Sequence, residues 1–193
     1  MLRRTFTGIA VGAVFAVPVV AFGAVPAAAA PAAVAAVTTL TYDDSTAAEF
    51  KPQVTQAVGI WNSSVSNVRL VKATAGQRVN IRVTADNGWP RANLGPVRTT
   101  GTVTVWVGRE GVTAGYNVVR IVTHELGHSL GLPDVKPGPC SSLMSGSTGG
   151  VSCNSVTPNA AEAARVEQNY ASAAAATAGL PSGSGVVVRD AAH

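Results

Sequence analysis

Residues 124–128 (HELGH) have the types and spacing of a pair of metal ligands with a neighbouring base. Successive residues of an α-helix are about 100° apart, so His124 and His128 lie about 40° apart on one face and one turn apart along the axis. Both imidazoles can therefore bind one ion. Glu125 lies beside that face, where a base could act on a metal-bound water. Histidines at this spacing also occur as hydrogen-bonded core residues, so the five residues alone leave a purely structural alternative open.

Three features outside the pentapeptide favour a metal site. Gly131 ends the helical pattern and can adopt the left-handed conformation that would turn the chain back toward the histidines. Asp134 follows His124 by ten residues and offers a third, anionic ligand. Met144 lies in the segment SLMSG, and a methionine turn beneath the metal belongs to extended zinc-protease motifs. The third histidine is the last residue, His193, so a three-histidine site would require the chain's end to reach the metal.

Hydrophobic patterning predicts the strands that would carry this site. Four segments are rich in strand-forming residues or alternate between apolar and polar positions: residues 37–42, 68–71, 79–84 and 102–107. Residues 85–100 contain several glycines and prolines and predict a long loop. We expect an α+β domain with a twisted, mostly parallel or mixed sheet of about four strands. Residues 101–108 are our expected sheet edge for an extended peptide that binds by strand addition.

Three helices are predicted around this sheet. Apolar residues at spacings of three and four predict a first helix that ends near Asn62. Residues 117–130 predict a largely buried active-site helix, which Gly131 stops and Pro133 cannot continue. Thr157 and Pro158 suit an N-cap and first turn, and predict a C-terminal helix that reaches about residue 170.

Two longer motifs carry a resemblance to a known family. The segments HELGHSLGLPD (124–134) and PCSSLMSG (139–146), a second cysteine at Cys153 and a helix that opens at Pro158 resemble the snapalysins. These are small secreted metzincin-type neutral proteases in which aspartate replaces the usual third histidine. The segment 60–68 is also similar to the end of the family's first helix, and the resemblance covers about residues 37–171.

The resemblance implies a metzincin-like zincin fold and a set of roles. His124, His128 and Asp134 correspond to the zinc ligands, Glu125 to the catalytic glutamate and Met144 to the Met-turn. It also implies a disulfide between Cys140 and Cys153, the only two cysteines of the chain. An even pair of cysteines in an exported protein favours the same pairing.

Three departures from the family pattern bear on function. Lys136 stands where the family commonly has a tyrosine that helps to stabilise the transition state; a lysine there either supplies positive charge or is a solvated surface residue. Asn117 stands where an aspartate of the family can bind calcium, and a neutral amide is a weaker ligand. We therefore expect zinc as the cofactor and leave calcium as an open alternative. A pro-domain that would confer latency is not evident.

The ends of the chain predict export. Arg3 and Arg4 precede an apolar stretch at residues 9–25 and then small residues, which predicts a signal peptide over residues 1–30. A membrane anchor and a twin-arginine signal are the alternatives. An Ala/Pro-rich linker (31–36), a zinc metallopeptidase domain (37–171) and a low-complexity tail (172–193) follow. That tail has a reach of about 25 Å, long enough to bring His193 to the metal, although an unbound tail is our expectation.

Composition narrows the partners. The net charge is +4, but the basic residues are scattered, so we expect no nucleic-acid partner. After signal cleavage no stretch is apolar enough to hold the chain in a membrane. We expect a secreted, extracellular monomer that acts on polypeptide substrates. The competing class is a secreted zinc-containing protein without turnover.

Overall fold

A mixed sheet of six strands carries the helices. The structure is a computed structural model that describes residues 36–171 and 186–189. Its strands are β1 (Thr38–Thr46), β2 (Val68–Lys72), β3 (Ile81–Asp86), β4 (Arg91–Asn93), β5 (Val103–Gly108) and β6 (Val187–Arg189). Their order across the sheet is β2-β1-β3-β5-β4-β6. β1 is parallel to β2 and β3, and β3 to β5, whereas β4 is antiparallel to both β5 and β6.

The α+β class and the mixed sheet are confirmed, but two short strands were not predicted. β4 has three residues and lies within the predicted loop, and β6 lies within the predicted tail. The sheet therefore has six strands rather than about four. The expectation that residues 101–108 form a sheet edge is wrong. β5 lies between β3 and β4, because Arg91 pairs with Trp106 and Ala92 pairs with Val105.

The helices agree more closely with the predictions. They are α1 (Lys51–Ser64), α2 (Arg109–Thr113), α3 (Val118–Ser129) and α4 (Ala160–Ala171), with 3-10 turns at Ala48–Phe50 and Leu143–Gly149. α1, α3 and α4 match the three predicted helices, and α2 was not predicted. The cap of α4 is Asn159 rather than Thr157, because the side-chain oxygen of Asn159 accepts a hydrogen bond from Glu162 N at 2.9 Å.

The core holds α3 in the interior of the domain. Val103, Val105 and Val107 alternate along β5 and are all buried, which gives α3 an apolar surface to pack on. Trp61 of α1 is completely buried, and its indole nitrogen donates a hydrogen bond to Thr123 O of α3 at 2.8 Å. Packing on β5 and the hydrogen bond from α1 together hold α3, which carries both histidines, in a defined position on the sheet.

Some sequence predictions fall outside this description. The predicted signal segment and most of the linker lie outside the described residues, and only 186–189 of the predicted tail are described. Within the described residues, no helix has both the length and the apolar character that a membrane span requires.

Candidate metal centre

Three potential ligand atoms converge at the end of α3. Asp134 Oδ1 lies 3.3 Å from His124 Nε2 and 3.5 Å from His128 Nε2. The three ligand atoms all lie within 4.8 Å of one another. Ligands about 2.0–2.1 Å from a tetrahedral zinc ion are about 3.3 Å apart, so the spacing and the donor types both fit zinc. In the described residues, no second group of three or more His, Cys, Asp or Glu side chains converges in this way.

The other ring nitrogen of each histidine is held by a main-chain carbonyl. His124 Nδ1 lies 2.9 Å from Leu143 O, and His128 Nδ1 lies 2.7 Å from Leu132 O. A carbonyl oxygen only accepts, so each Nδ1 carries the proton and each Nε2 presents its lone pair toward Asp134. Such supporting hydrogen bonds fix the tautomer and ring orientation of metal-binding histidines.

The ionisation of the ligands suits a cation. Burial lowers the pKa of His128, which favours the neutral, metal-binding ring. Burial raises the pKa of Asp134, but its close contacts with His124 and His128 outweigh this effect and hold the pKa below its ordinary value. A neutral His128 and an ionised Asp134 suit the binding of a divalent metal.

A tight turn after α3 delivers the aspartate. Gly131 has φ +95°, the left-handed conformation expected from the sequence, and its N–H donates to His128 O at 2.9 Å. An alanine there would place its Cβ 2.7 Å from the Asn169 amide nitrogen. One residue beyond Asp134, Val135 N donates to Met144 O at 2.8 Å, which ties the ligand segment to the methionine turn.

Lys136 forms an ion pair with Asp134. Its ammonium lies 3.3 Å from Asp134 Oδ2, and only 21% of the lysine side chain is exposed. The lysine therefore interacts with the outer carboxylate oxygen of Asp134 instead of extending into solvent. The two carboxylate oxygens thus have different partners: Oδ1 faces the histidines and Oδ2 faces Lys136.

Met144 lies directly beneath α3. The methionine is completely buried, and a Cβ added to Gly127 would be 2.9 Å from its sulfur. The turn itself is held by Glu162, whose carboxylate accepts hydrogen bonds from Met144 N at 2.9 Å and Leu143 N at 3.2 Å. Sequence patterns did not single out Glu162; its position three residues after the cap Asn159, a capping-box spacing, was the available signal.

A buried arginine joins α3 to the same turn and was also missed. Arg120 is 4% exposed, and its guanidinium donates to Ser155 O at 2.6 Å, Ser142 O at 2.7 Å and Ser145 Oγ at 2.9 Å. A disulfide between Cys140 and Cys153 closes the loop that contains Ser142 and Ser145, as the sequence predicted.

The remaining candidates are placed as follows. Glu125 is completely buried on α3, next to His124. Asn117 caps α3: its Oδ1 accepts from Arg120 N at 3.1 Å and its Nδ2 donates to Asn154 at 3.0 Å. The oxygen considered for calcium is thus engaged in a helix cap. His193 lies outside the described residues.

A cavity of about 450 Å³ opens beside the segment that contains Asp134. Its floor includes the apolar residues Leu132, Pro133 and Val135, which flank Asp134, together with Met144. Residues at the start of α4, with Arg165 among them, also line the cavity. A cavity of this size and apolar character suits a large hydrophobic side chain.

Comparison with known proteins identifies the family of this chain. The chain matches the Streptomyces extracellular neutral proteinase (M7) family over residues 36–173. It is 40% identical over 140 residues to an extracellular small neutral protease of Streptomyces coelicolor, a match that covers 72% of this chain and 63% of the relative. It is 38% identical over 133 residues to the protein of that name from Streptomyces caespitosus, covering 69% of this chain and 97% of the relative.

Coverage differs among the relatives. The chain spans about 60% of the length of the first curated relatives that it matches, from Streptomyces coelicolor, Streptomyces sp. (strain C5) and Streptomyces lividans. Among solved structures, a hatching enzyme zinc-protease of the medaka fish Oryzias latipes is 22% identical, with a TM-score of 0.38 over 51% of this chain and 46% of that one. That likeness is too low to support any statement about this chain. The sequence matches confirm the resemblance seen in the motifs, and the chain belongs to the Streptomyces extracellular neutral proteinase (M7) family.

Proposed function

We propose that this chain is a secreted zinc-dependent endopeptidase that hydrolyses peptide bonds of extracellular proteins. One observation carries the proposal: two histidine nitrogens and an aspartate oxygen converge within 4.8 Å of one another, next in sequence to the buried carboxylate of Glu125. Three protein ligands leave a fourth position for water or substrate, as catalytic zinc sites require.

Each group would have a defined task. Zinc held by His124, His128 and Asp134 would polarise the scissile carbonyl and lower the pKa of a water molecule. Glu125 would accept the proton of the attacking water and deliver it to the leaving amine. Complete burial of Glu125 separates its carboxylate from bulk water, which favours proton transfer within the site. Lys136 would hold Asp134 in its ligand orientation throughout.

The substrate would bind as an extended chain. α3 packs against β5 and β4. The outer edge of β4, on which β6 lies in this structure, is our proposed site for strand addition. The cavity beside Asp134 would receive the side chain that follows the cut bond. Its apolar floor supports the aromatic preference that resemblance to the snapalysins implies. A peptide series with phenylalanine or alanine at that position should show a higher kcat/KM for phenylalanine.

Casein hydrolysis with and without phenanthroline tests the proposed activity. We expect hydrolysis by the purified chain, its loss with the chelator and its recovery with added zinc. Zinc bound at one equivalent without hydrolysis would instead indicate the competing class, a zinc-containing protein without turnover.

A further inference from the structure

The carboxylate of Glu162 does more than cap a helix. It is 6% exposed and forms a reciprocal cap with Asn159, since Glu162 Oε2 accepts from Asn159 N at 2.7 Å and Glu162 N donates to Asn159 Oδ1 at 2.9 Å. The same carboxylate also accepts from Ser142 Oγ at 2.7 Å and from the N–H groups of Leu143 and Met144. The cap of α4 requires none of these additional bonds.

These bonds connect Glu162 to the proposed metal ligand His124 through a single residue, Leu143. Leu143 N donates to Glu162 Oε2 at 3.2 Å, and Leu143 O accepts from His124 Nδ1 at 2.9 Å. The carboxylate thus fixes the peptide groups on both sides of Leu143, and the carbonyl orientation determines the tautomer and ring plane of His124. We propose that Glu162 is a positioning residue for His124 that acts through the main chain of Leu143. The inference rests on the proposed function only in taking zinc as the metal.

The same helix offers a matched control. Glu167 accepts main-chain hydrogen bonds from Ser66 N at 2.5 Å and Asn67 N at 2.8 Å, in a loop that does not contact the histidines through any described hydrogen bond. Glu162→Gln and Glu167→Gln therefore remove the same charge from the same helix. Only the first change alters a contact of the segment that supports His124.

Zinc affinity, measured by competition with a chelator, is the deciding readout. We expect Glu162→Gln to weaken zinc binding about 10–100-fold and to shift the NMR signal of the His124 Nδ1 proton. Glu167→Gln should change neither. If Glu162→Gln does not fold, Glu162→Asp keeps the charge but shortens the reach of the carboxylate by one methylene group, and it should show the same loss. Equal zinc affinity in the variants at positions 162 and 167 overturns the inference. Neither readout requires turnover, so a failure of the proposed hydrolysis would be seen separately.

A second feature, independent of the first, is the short strand β6 on the outer edge of β4. Val188 lies opposite Ala92 and Val187 opposite Asn93, and Leu94 N donates to Val186 O at 2.9 Å. β6 has three residues, and their side chains are exposed or half-exposed. Because β6 is short and exposed, it buries little apolar surface. It is therefore held mainly by its main-chain hydrogen bonds.

The edge that β6 covers is the edge nearest the metal. Immediately after β4, Gly95 N donates to His128 O at 2.8 Å and Val97 N donates to Ser129 O at 3.0 Å. The opposite edge of the sheet, β2, is separated from β5 by β1 and β3. An extended peptide that reaches the histidines by strand addition must therefore pair with β4, where β6 lies.

We infer that residues 186–189 compete with polypeptide substrates for the outer edge of β4. Because the segment belongs to the same chain, its effective concentration at this edge is on the order of millimolar. A substrate must displace it, so the segment raises KM without entering the chemical step. This inference rests on the proposed function and concerns how access to its site is regulated.

Two full-chain variants test the competition. Val188→Pro removes a main-chain donor and disfavours pairing, whereas Val188→Thr keeps the N–H and the branched shape. We expect Val188→Pro to lower KM for a long peptide several-fold with kcat unchanged, and to speed amide exchange at Leu94. Val188→Thr should match the parent chain. A peptide of sequence Gly-Val-Val-Val-Arg should inhibit Val188→Pro competitively. Unchanged KM despite faster exchange at Leu94 overturns the inference, whereas absence of hydrolysis in every variant overturns only the proposed function.

Discussion

Gly127 lies where the active-site helix meets the methionine turn, and replacing it with alanine should loosen that contact. A Cβ at this position would be 2.9 Å from the sulfur of Met144 and 3.2 Å from Cζ2 of Trp61. Both neighbours are completely buried, so neither can move into solvent. One added methyl group in a packed core costs about 1–3 kcal/mol. The better helix propensity of alanine offsets about 1 kcal/mol, which leaves an expected net loss of about 0–2 kcal/mol.

Gly59 of α1 is the matched control. It is exposed on a helix, and a Cβ there meets no atom within 4 Å. Gly59→Ala should therefore raise the free energy of unfolding by about 1 kcal/mol through helix propensity alone. Urea denaturation of both variants in EDTA compares the metal-free folds. If Gly127→Ala were as stabilising as Gly59→Ala, the close packing of Met144 under α3 would be refuted.

Three further predictions concern the metal, a buried phenol and the disulfide. Asp134→Asn should weaken zinc binding by more than about 100-fold, because the loss of a ligand costs more affinity than the loss of a hydrogen bond that supports a ligand. Competition with a chelator measures this affinity. Unchanged affinity would exclude Asp134 as a ligand. Burial raises the pKa of Tyr170, whose hydroxyl donates to Val97 O at 2.9 Å. The folded state therefore keeps this proton while the unfolded chain releases it above about pH 10, so stability should fall as pH rises past that value. Tyr170→Phe should lower stability by about 1 kcal/mol at pH 7 and flatten the alkaline slope in urea titrations; an unchanged slope would contradict the assignment. Replacing Cys140 and Cys153 with serine should cost about 3 kcal/mol for a loop of this length, and reduction of the parent chain should give the same loss of stability.

The site was predictable where its geometry is local in sequence. The spacing of His124 and His128 follows from the helix repeat, and the left-handed turn at Gly131 follows from the freedom of glycine. β1, β2, β3 and β5 were predictable because each is long enough to show alternation or a run of β-branched residues.

The remaining features depend on contacts between distant segments. β4 and β6 have three residues each, which is too few for a period-two pattern in the sequence. Their extended conformation depends on pairing with other strands. The interior position of β5 is known only once β4 is seen to pair with it. The ion pair between Lys136 and Asp134 and the reach of Glu162 to Leu143 likewise require the folded chain. No periodicity in the sequence signals which loop a buried carboxylate will contact.

Zinc content and turnover, measured together for the parent chain and for Glu125→Gln, test the proposed mechanism most directly. Glutamine keeps the size of the glutamate but cannot accept the proton of the attacking water. We predict one zinc per chain in both proteins, and casein hydrolysis about 10²–10⁴-fold slower in the variant, the usual contribution of a general base. Full hydrolysis by a zinc-loaded Glu125→Gln chain would contradict the assignment of Glu125 as the base. Hydrolysis by the parent chain that persists after phenanthroline has removed the zinc would contradict the metal mechanism.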